Sequence, residues 1–429
     1  MKKGKRMVIS MLLLLVLFAG LFGIEGAPKA RSSETIKIGL MDTLTTTLAA
    51  SLPWSHVGYE LAVKQINDSG GIHGRMIEIV PKDTGNDPAI TVERMNELKA
   101  EGVVAIVGPS SDSLAPAAAQ WSRQNKMVVI TQGTSSTKVS VENANKYFFS
   151  SGFNAWQIGK LLAINAVKEN NFKSFAFVGT DGAAPNDVRN FFFEEAKKLN
   201  PKFKDRGDFR VSTSATEFST IISAVMAADP DMLVGGIAGP LFISLVQQAE
   251  LFGMFDMLDY YGWYTTDASN TQGFKENYPA GHTHGIIALP FWFEDAKSKQ
   301  FVKEWMDMGK ELGHGVIYPA DLGYGSYKAF LSLAEALKIA KDFSSDSIAE
   351  ALLKVKVDLP YGAPAYYREF DHMLITDVWY GDTAWSDDWE IPIGVNLIKY
   401  GEETYPSEED FYKYAESKGI DIKERLGLK

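Results

Sequence analysis

Short apolar runs alternate with longer segments of helical periodicity through most of the chain. The runs 103–107 and 127–130 are continuous and β-branched, as is typical of buried parallel strands. The segments between such runs carry helix boundary signals: Asp87-Pro88 is a typical helix start, and Gly70-Gly71 is a typical helix end. A strict β-α alternation of this kind predicts parallel sheets with right-handed crossovers.

The number of predicted elements exceeds what one doubly wound domain accommodates. The pattern predicts strands over 35–41, 76–81, 103–107, 127–130, 174–179, 209–212, 231–237, 258–265, 284–290 and 373–380. It predicts helices over 56–67, 88–101, 114–125, 155–169, 187–199, 217–228, 241–252, 295–312, 322–341, 345–354 and 408–418, with Ser113 and Asn154 among the N-caps. Two α/β lobes are therefore expected. Because no linker-like segment separates them, we expect the chain to cross between the lobes more than once.

The N-terminus has the organisation of a secretory signal peptide. Lys2-Lys3-Gly4-Lys5-Arg6 is a basic region, 7–23 is an apolar run, and Gly26, Ala27 and Ala30 offer small residues for cleavage. An uncleaved membrane anchor is the alternative interpretation. No later stretch is long and apolar enough to span a bilayer. The sequence therefore predicts a signal peptide over 1–30 and an exported, periplasmic protein.

Composition excludes several classes of function. The formal charge of −11 disfavours generic binding to nucleic acids or anionic membranes. The chain has no cysteine, which excludes disulfides, thiolate catalysis, iron–sulfur clusters, cysteine-type zinc sites and a lipid anchor on cysteine. We find no dinucleotide-binding glycine pattern, Walker loop, serine nucleophile elbow or zinc-protease helix, so we expect neither an enzyme nor a cofactor.

Two consecutive strands are followed by loops rich in small hydroxyl residues. Ser110 and Ser111 follow the first strand, and Thr134 and Ser135 follow the second. In open α/β sheets ligands bind outside the carboxyl ends of the strands, where hydroxyls and bare backbone N–H groups suit a small anion such as a carboxylate. The alternative is that these residues simply form turns.

Several motifs, in this order, resemble the periplasmic type I solute-binding proteins of the branched-chain amino acid (Leu/Ile/Val) branch. The segment 58–67 followed by 70–74 resembles the family's "GAELAVEEIN…GGI.G" signature, and it is the most specific of these motifs. The others are 36–39 (first strand), Asp83 with Asp87-Pro88 (acidic loop), 106–109 ("IIGP"), Phe218-Ser219 through 229–231 to Gly235-Gly236 ("DFS…PD…GG"), and 369–372 ("F…DH").

This resemblance, which covers about 35–385, implies an architecture and a partner. It implies an α/β fold of two doubly wound Rossmann-like lobes joined by three crossovers, which close on a ligand as a hinged clamp. The N-terminal lobe is expected over 34–152 and 287–356, and the C-terminal lobe over 153–286 and 357–429. The resemblance further implies a monomer that delivers a small molecule to the transmembrane subunits of an ABC permease. A ligand-sensing receptor module is the alternative use of such a clamp.

The resemblance also places the ligand-binding positions on both lobes. Ser110, Ser111 and Asp112 match one loop of the first lobe, and Gly133, Thr134 and Ser135 match the loop expected to hold an α-carboxylate. The contacts of the second lobe fall near 181–184, 237–238 and 263–265, which include Asp181, Ala238, Trp263 and Tyr264.

The chain departs from the family pattern where amino acid binders contact the ligand. It has Ala183-Ala184-Pro185 and Ile237-Ala238 where an aromatic side chain is common, and its first loop is longer and contains Trp54. A leucine-like amino acid, a bulkier or aromatic ligand, and a carboxylate without an amine all remain open.

Some individual residues allow two interpretations each. Trp54, Trp263 and Tyr264 could stack on a ligand or pack in the core. Asp42, Asp181 and Asp267 follow strands and could receive an ammonium group, or they could be solvated turn residues, and Asp321 could be only a helix N-cap. His282 and His284 share one face of a strand, but a metal site needs more ligands, so none is expected.

Overall fold

The computed structural model describes residues 34–45, 52–263, 265–274 and 278–428. The predicted signal peptide and Tyr264 lie outside this part of the chain. Within it, no helix combines the length and the apolar run that a bilayer crossing requires.

The observed elements keep the predicted alternation through most of the chain. The strands are β1 (Ile36–Asp42), β2 (Ile77–Asp83), β3 (Ala105–Val107), β4 (Val129–Thr131), β5 (Phe148–Ser150), β6 (Ser174–Thr180), β7 (Lys204–Val211), β8 (Leu233–Gly236), β9 (Tyr260–Gly262), β10 (Thr283–Ile287), β11 (Tyr366–Tyr367), β12 (Leu374–Ile375), β13 (Val378–Ser386) and β14 (Ile391–Tyr400).

Helices fill most of the connections between these strands. They are α1 (Leu52–Asp68), α2 (Pro88–Ala100), α3 (Ala115–Asn125), α4 (Ala155–Ile164), α5 (Ala183–Leu199), α6 (Ser219–Ala228), α7 (Pro240–Leu251), α8 (Ala268–Thr271), α9 (Ala296–Glu311), α10 (Asp321–Ile339), α11 (Ser345–Leu352), α12 (Glu408–Ser417) and α13 (Ile422–Leu426). Two π-helical turns, Lys138–Glu142 and Asn165–Glu169, follow β4 and α4.

The first lobe is built on a five-stranded sheet of order β2-β1-β3-β4-β5, with every neighbouring pair parallel. Alternate residues of each strand point to opposite faces. Ile38 and Leu40 of β1 belong to the core beneath α1 and α10, whereas Met41 belongs to the core beneath α2 and α3. Helices on both faces explain why the inner strand β3 and the start of β4 are continuous apolar runs rather than alternating.

The second lobe is built on a seven-stranded sheet of order β14-β13-β10-β9-β8-β6-β7. The five strands from β10 to β7 are parallel, and the hairpin of β13 and β14 adds antiparallel strands at one edge. Separate buried clusters around Phe177 and Val178 cover the two faces of this sheet. Both sheets are thus doubly wound.

The chain passes between the two sheets three times, as the family resemblance implied. It leaves the first sheet after β5 and enters α4 of the second lobe. It leaves the second sheet after β10, and α9, α10 and α11 then pack on the core of the first lobe through residues such as Trp305, Phe330 and Leu352. It returns after α11 to form β13 and β14.

Several features differ from the sequence-based expectations. The strand β5 was not predicted, because its three residues lie in a mixed polar segment, and β7 begins at Lys204 rather than 209 because its first half is charged and half exposed. The segment after 380 continues as a hairpin, since β13 extends to Ser386 and β14 pairs with it. Finally, α3 begins without a side-chain cap, because the hydroxyl of Ser113 contacts that of Ser111 at 2.8 Å. By contrast, Asn154 caps α4 as predicted, accepting a hydrogen bond from the backbone N–H of Trp156 at 2.7 Å.

Candidate functional site

The two hydroxyl-rich loops of the first lobe lie side by side at the carboxyl edge of its sheet. Gly108 ends β3 with a φ of 101°, and a Cβ at this position would strike the carbonyl of Met41, so the sharp turn requires glycine. A Cβ built on Gly133 would lie 3.1 Å from the carbonyl oxygen of Ser110. The structure therefore brings the loops of Ser110 and Gly133 into contact.

Asp112 bridges these two loops. Its Oδ1 accepts the backbone N–H groups of Ser135 at 3.0 Å and Ser136 at 2.9 Å, and its Oδ2 lies 3.4 Å from the hydroxyl of Ser135. Burial raises the pKa of the Asp112 carboxyl above its ordinary value. The donors that the family resemblance assigns to a ligand carboxylate are thus engaged by a side chain of the protein.

A second carboxylate reaches the same segment from the other lobe. Asp187, in the second turn of α5, accepts hydrogen bonds from the hydroxyl of Ser136 at 3.0 Å and from the N–H and hydroxyl of Thr137, both at 2.9 Å. The loop after β4 is therefore held by one carboxylate from each lobe. The hydroxyl of Thr134 is also engaged, lying 2.6 Å from that of Thr131.

A small cavity lies where the lobes meet. It leaves room for about one water molecule. Its walls come from the first crossover, the loop after β9, the second crossover and the start of α10: Phe153, Trp263, Thr266, Asp267, Ala268, Ile286, Ile287, Ala288, Leu289, Phe291, Pro319 and Asp321.

Two carboxyl groups of half-buried residues, Asp267 and Asp321, line this cavity. Asp267 receives the backbone N–H of Ser269 at 3.0 Å, which caps α8, and its Oδ2 receives the backbone N–H of Asp321 at 2.7 Å. Burial raises the pKa of Asp267, and it raises the pKa of Asp321 to about 6. The Asp267–Asp321 bond joins a loop of the second lobe to a helix packed on the first lobe.

One buried lysine lies next to this acidic pair. Lys328 follows Asp321 by two turns of α10, and its Nζ lies 5.7 Å from the ring centroid of Phe153 and 5.1 Å from that of Tyr324. Burial lowers the pKa of Lys328, while the charge of Asp321 opposes that shift. The charges of Lys328 and Asp321 thus partly compensate each other inside the protein.

Two neighbouring threonine hydroxyls, of which one lines the cavity, have no hydrogen-bond partner among the described residues. The side chain of Thr266 is 3% exposed and lines the cavity, and that of its neighbour Thr265 is 1% exposed. Buried polar groups without partners are uncommon because each retains most of its desolvation cost. Such hydroxyls are candidates for contact with a bound molecule.

The predicted site residues are only partly brought together. Ser110, Asp112, Gly133 and Ser135 converge, and Leu322, adjacent to Asp321, lies against Gly133 and so connects these loops with the cavity. Ser111 lies on the same loop as Ser110 and Asp112.

The other predicted residues lie apart from these loops. Trp263 lines the cavity while packing into the core of the second lobe. Trp54 lies on α1 against the core of the first lobe, with its carbonyl beside Gly323, and its Nε1 has no partner within the described chain. Asp181 and Ala238 are exposed at the ends of β6 and β8. Both are absent from the cavity lining.

The interpretation of Asp321 as a helix cap is wrong. Ala320 occupies the N-cap position of α10, and no side chain caps that position by hydrogen bonding. Asp321 instead forms part of the first turn and faces the cavity. Sequence reasoning missed Phe153, Thr266 and Asp187; the position of Thr266 after a strand end was the signal that could have identified it.

His282 and His284, at the start of β10, contact carboxyl groups through hydrogen bonds. His282 Nδ1 lies 2.8 Å from Asp259, and His284 Nδ1 lies 2.7 Å from Asp382. Among the residues that the structure describes, no group of histidine and carboxylate side chains has an arrangement that could hold a metal ion.

Comparison with known proteins identifies similar chains over most of this length. A family model described as periplasmic binding protein matches residues 35–384. The Pseudomonas aeruginosa leucine-, isoleucine-, valine-, threonine-, and alanine-binding protein is 23% identical over 358 residues, which cover 81% of this chain and 89% of that protein.

Solved structures show the same fold. The closed conformation of the leucine-, isoleucine-, valine-, threonine-, and alanine-binding protein from Brucella ovis aligns with a TM-score of 0.76 at 18% identity, covering 87% of this chain and 97% of that one. An ABC transporter solute-binding protein from Rhodopseudomonas palustris BisB5, in complex with 3,4-dihydroxybenzoic acid, aligns with a TM-score of 0.73 at 19% identity, covering 86% and 97%.

Proposed function

This chain belongs to the periplasmic binding proteins, and we propose that it captures a small solute between its two lobes and delivers it to an ABC-type permease. In this proposal residues 1–30 direct export and are removed, and the mature protein acts in the periplasm as a monomer. The chain performs no chemistry on the solute, in keeping with relatives that are solute-binding proteins.

The observation that carries the proposal is the arrangement of polar groups where the lobes meet. Asp267 of the second lobe bonds to the start of α10, which packs on the first lobe, and the unpartnered hydroxyl of Thr266 lies in the same cavity. Polar groups converging from two lobes in a mostly apolar concavity are the usual form of a small-molecule site. Trp263 and Phe153 supply the apolar walls.

We propose that solute capture proceeds by hinge opening at the three crossovers. Opening separates Asp267 from the N–H of Asp321, which exposes both to an entering solute. Closure then replaces water on these groups by contacts with the solute, and it favours the closed form by the difference in affinity of the two forms. The closed form presents one combined surface of both lobes to the permease.

The solute class extends beyond branched-chain amino acids in this proposal. Relatives and structural neighbours include both a binder of leucine, isoleucine and valine and a protein bound to 3,4-dihydroxybenzoic acid. In this proposal Ser110, Ser111, Asp112, Gly133, Thr134 and Ser135 are the first-lobe contacts of the solute, and Trp54 flanks them. Asp181, Ala238 and Trp263 are the proposed second-lobe contacts, together with Tyr264, which lies outside the described residues.

Calorimetric titration of two matched threonine variants tests this site. A ligand that binds only the folded protein raises its melting temperature, so compounds are first selected by thermal shift. Thr266→Val removes one hydroxyl from the cavity at nearly constant volume, and we expect it to weaken binding by about threefold to tenfold, the value of one hydrogen bond. The control Thr213→Val alters an exposed hydroxyl and should bind as the wild type does. Equal affinities for both variants would refute the cavity as the binding site.

A further inference from the structure

The side chain of Asp112 accepts hydrogen bonds that the loop after β4 would otherwise donate to a ligand carboxylate. We propose that the solute is a small amine or amide, a molecule that donates N–H hydrogen bonds and carries no carboxylate, with Asp112 serving as a built-in substitute for the ligand carboxylate. This inference rests on the proposed function, because it concerns the same cleft.

The loop after β4 already donates several hydrogen bonds to carboxylates of the protein. A backbone N–H donates one hydrogen bond, and those of Ser135 and Ser136 both point at Asp112 Oδ1. The next donors, the N–H and hydroxyl of Thr137, point at Asp187. A ligand carboxylate could take the N–H groups of Ser135, Ser136 and Thr137 only by displacing a carboxylate of the protein.

Displacing Asp112 would leave a negative charge without its donors. Asp112 is half-buried and its carboxyl is strongly desolvated, and the charge of Asp187 lies close enough to raise its pKa further. A third carboxylate in the same place would be repelled by both residues. Removing the partners of a charge that stays buried is among the most unfavourable changes in a protein.

The cavity beside this loop also favours a donor over an acid. Two of its lining side chains are the carboxyl groups of Asp267 and Asp321. The nearby basic residue Lys328 is not among the residues that line the cavity, and its charge is compensated by that of Asp321. An amine or amide N–H can donate to these carboxyl oxygens, whereas a ligand carboxylate would add another negative charge.

A separate observation points to a bound molecule at this position. The hydroxyl of Thr266 is buried, lines the cavity and has no partner within the described chain. A hydroxyl oxygen accepts hydrogen bonds from N–H groups. The rings of Phe153, Trp263 and Phe291 form apolar walls of the cavity, which hinge opening enlarges, so we expect the body of the solute to be small and apolar or aromatic.

Two matched sets of compounds test the solute class. One set is benzylamine, benzamide and benzoate; the other is 3-methylbutylamine, 3-methylbutanamide, 3-methylbutanoate and leucine. Binding is measured by thermal shift and calorimetry on protein freed of carried-over ligand by unfolding and refolding. We expect the amine or the amide of at least one set to bind at least tenfold more tightly than the acid and the amino acid. The amine and amide arms identify which N–H donor is preferred.

The variant Asp112→Asn isolates the role of the charge. The amide side chain keeps an oxygen that can accept the N–H groups of Ser135 and Ser136, so the loop is retained while the negative charge is lost. We expect the ratio of acid to amide dissociation constants to fall by at least tenfold in this variant. The matched control is Asp388→Asn, at an exposed turn between β13 and β14, which should leave the ratio unchanged.

The outcomes separate this inference from the proposed function. A wild-type preference for benzoate, 3-methylbutanoate or leucine would overturn the solute class and leave the solute-binding function standing. An unchanged ratio in Asp112→Asn would also overturn the role of Asp112. Failure of every compound to bind the refolded wild type would overturn the proposed cleft and this inference together.

Discussion

The carboxylate of Asp187 in the second lobe accepts hydrogen bonds from both the backbone N–H and the hydroxyl of Thr137 in the first lobe, each at 2.9 Å. A hydrogen bond to a charged group contributes roughly 1.5–3 kcal/mol. Asp187→Ala removes both of these bonds and the one from the Ser136 hydroxyl, and we expect the free energy of unfolding to fall by at least about 2 kcal/mol. Urea denaturation measures this loss. The variant Asp187→Asn keeps an acceptor oxygen and should lose less; equal losses would argue against a hydrogen-bonding role.

The helices α1 and α10 approach each other at a pair of glycines. A Cβ on Gly58 would strike the carbonyl of Gly323, and one on Gly323 would strike the carbonyl of Trp54. Gly58→Ala therefore forces two backbones apart, and we expect a loss of about 1–3 kcal/mol or more in unfolding free energy. The comparison is Lys64→Ala on the exposed face of α1, which should change it by less than about 0.5 kcal/mol. An unchanged unfolding free energy in Gly58→Ala would mean that the helices are not in close contact.

The C-terminal segment, beyond the part of the chain that matches the family model, packs into the protein. Phe411 of α12 is fully buried against Val141 and Ala144, which lie between β4 and β5 of the first lobe. Tyr414, one turn later, packs on Trp156 and Phe191 of the second lobe. This segment therefore contacts both lobes.

Truncating Phe411 tests whether those contacts stabilise the folded protein. We expect Phe411→Ala to lower the unfolding free energy by about 3–5 kcal/mol, the usual cost of deleting a buried aromatic side chain. Leu251→Ala, at a side chain that is 84% exposed, provides an apolar control and should be nearly neutral. If the two variants melted at the same temperature, the packing of α12 would be in doubt.

The buried acid Asp321 predicts a specific dependence of stability on pH. Burial raises its pKa from 3.8 to about 6, so between these values the folded protein holds a proton that the unfolded chain has released. Its stabilising contribution is therefore fully present below about pH 4 and is lost as the pH rises through 6. The full effect of the shift is about 3 kcal/mol.

The test needs a variant of Asp321, because the titration of another buried group changes the stability with pH in the opposite direction. Burial lowers the pKa of His372 from 6.5 to about 4, so its contribution is present above pH 6.5 and is lost as the pH falls. We therefore compare wild type with Asp321→Asn at pH 4.5 and pH 7. Wild type should gain stability relative to the variant on acidification; a constant difference would contradict the raised pKa.

The alternation of strands and helices could be predicted from the sequence because it depends on local signals. Asp87 and Asn154 cap their helices as predicted, and the apolar runs of the central strands lie in the two sheets. The short strand β5 and the hairpin strand β14 could not be predicted, because tertiary pairing rather than local composition defines them.

The site was less predictable than the fold, because its chemistry depends on which residues meet in space. The resemblance predicts Ser110, Asp112 and Ser135 as contacts of a ligand, but nothing local in the sequence indicates that Asp112 accepts the N–H of Ser135. Likewise, the sequence favours Asp321 as a helix cap, and only the fold brings its backbone N–H within hydrogen-bond distance of Asp267. Such contacts join positions 23 and 54 residues apart.

Small-angle X-ray scattering with and without a bound solute tests the central claim of capture between two lobes most directly. The compound used is the one that raises the melting temperature most, at saturating concentration. We predict that the ligand-free protein has a larger radius of gyration than the arrangement described here, in which the lobes meet at Asp267 and Asp321, and that the compound reduces the radius of gyration. An unchanged scattering curve in the presence of the bound compound would contradict capture by closure of the lobes.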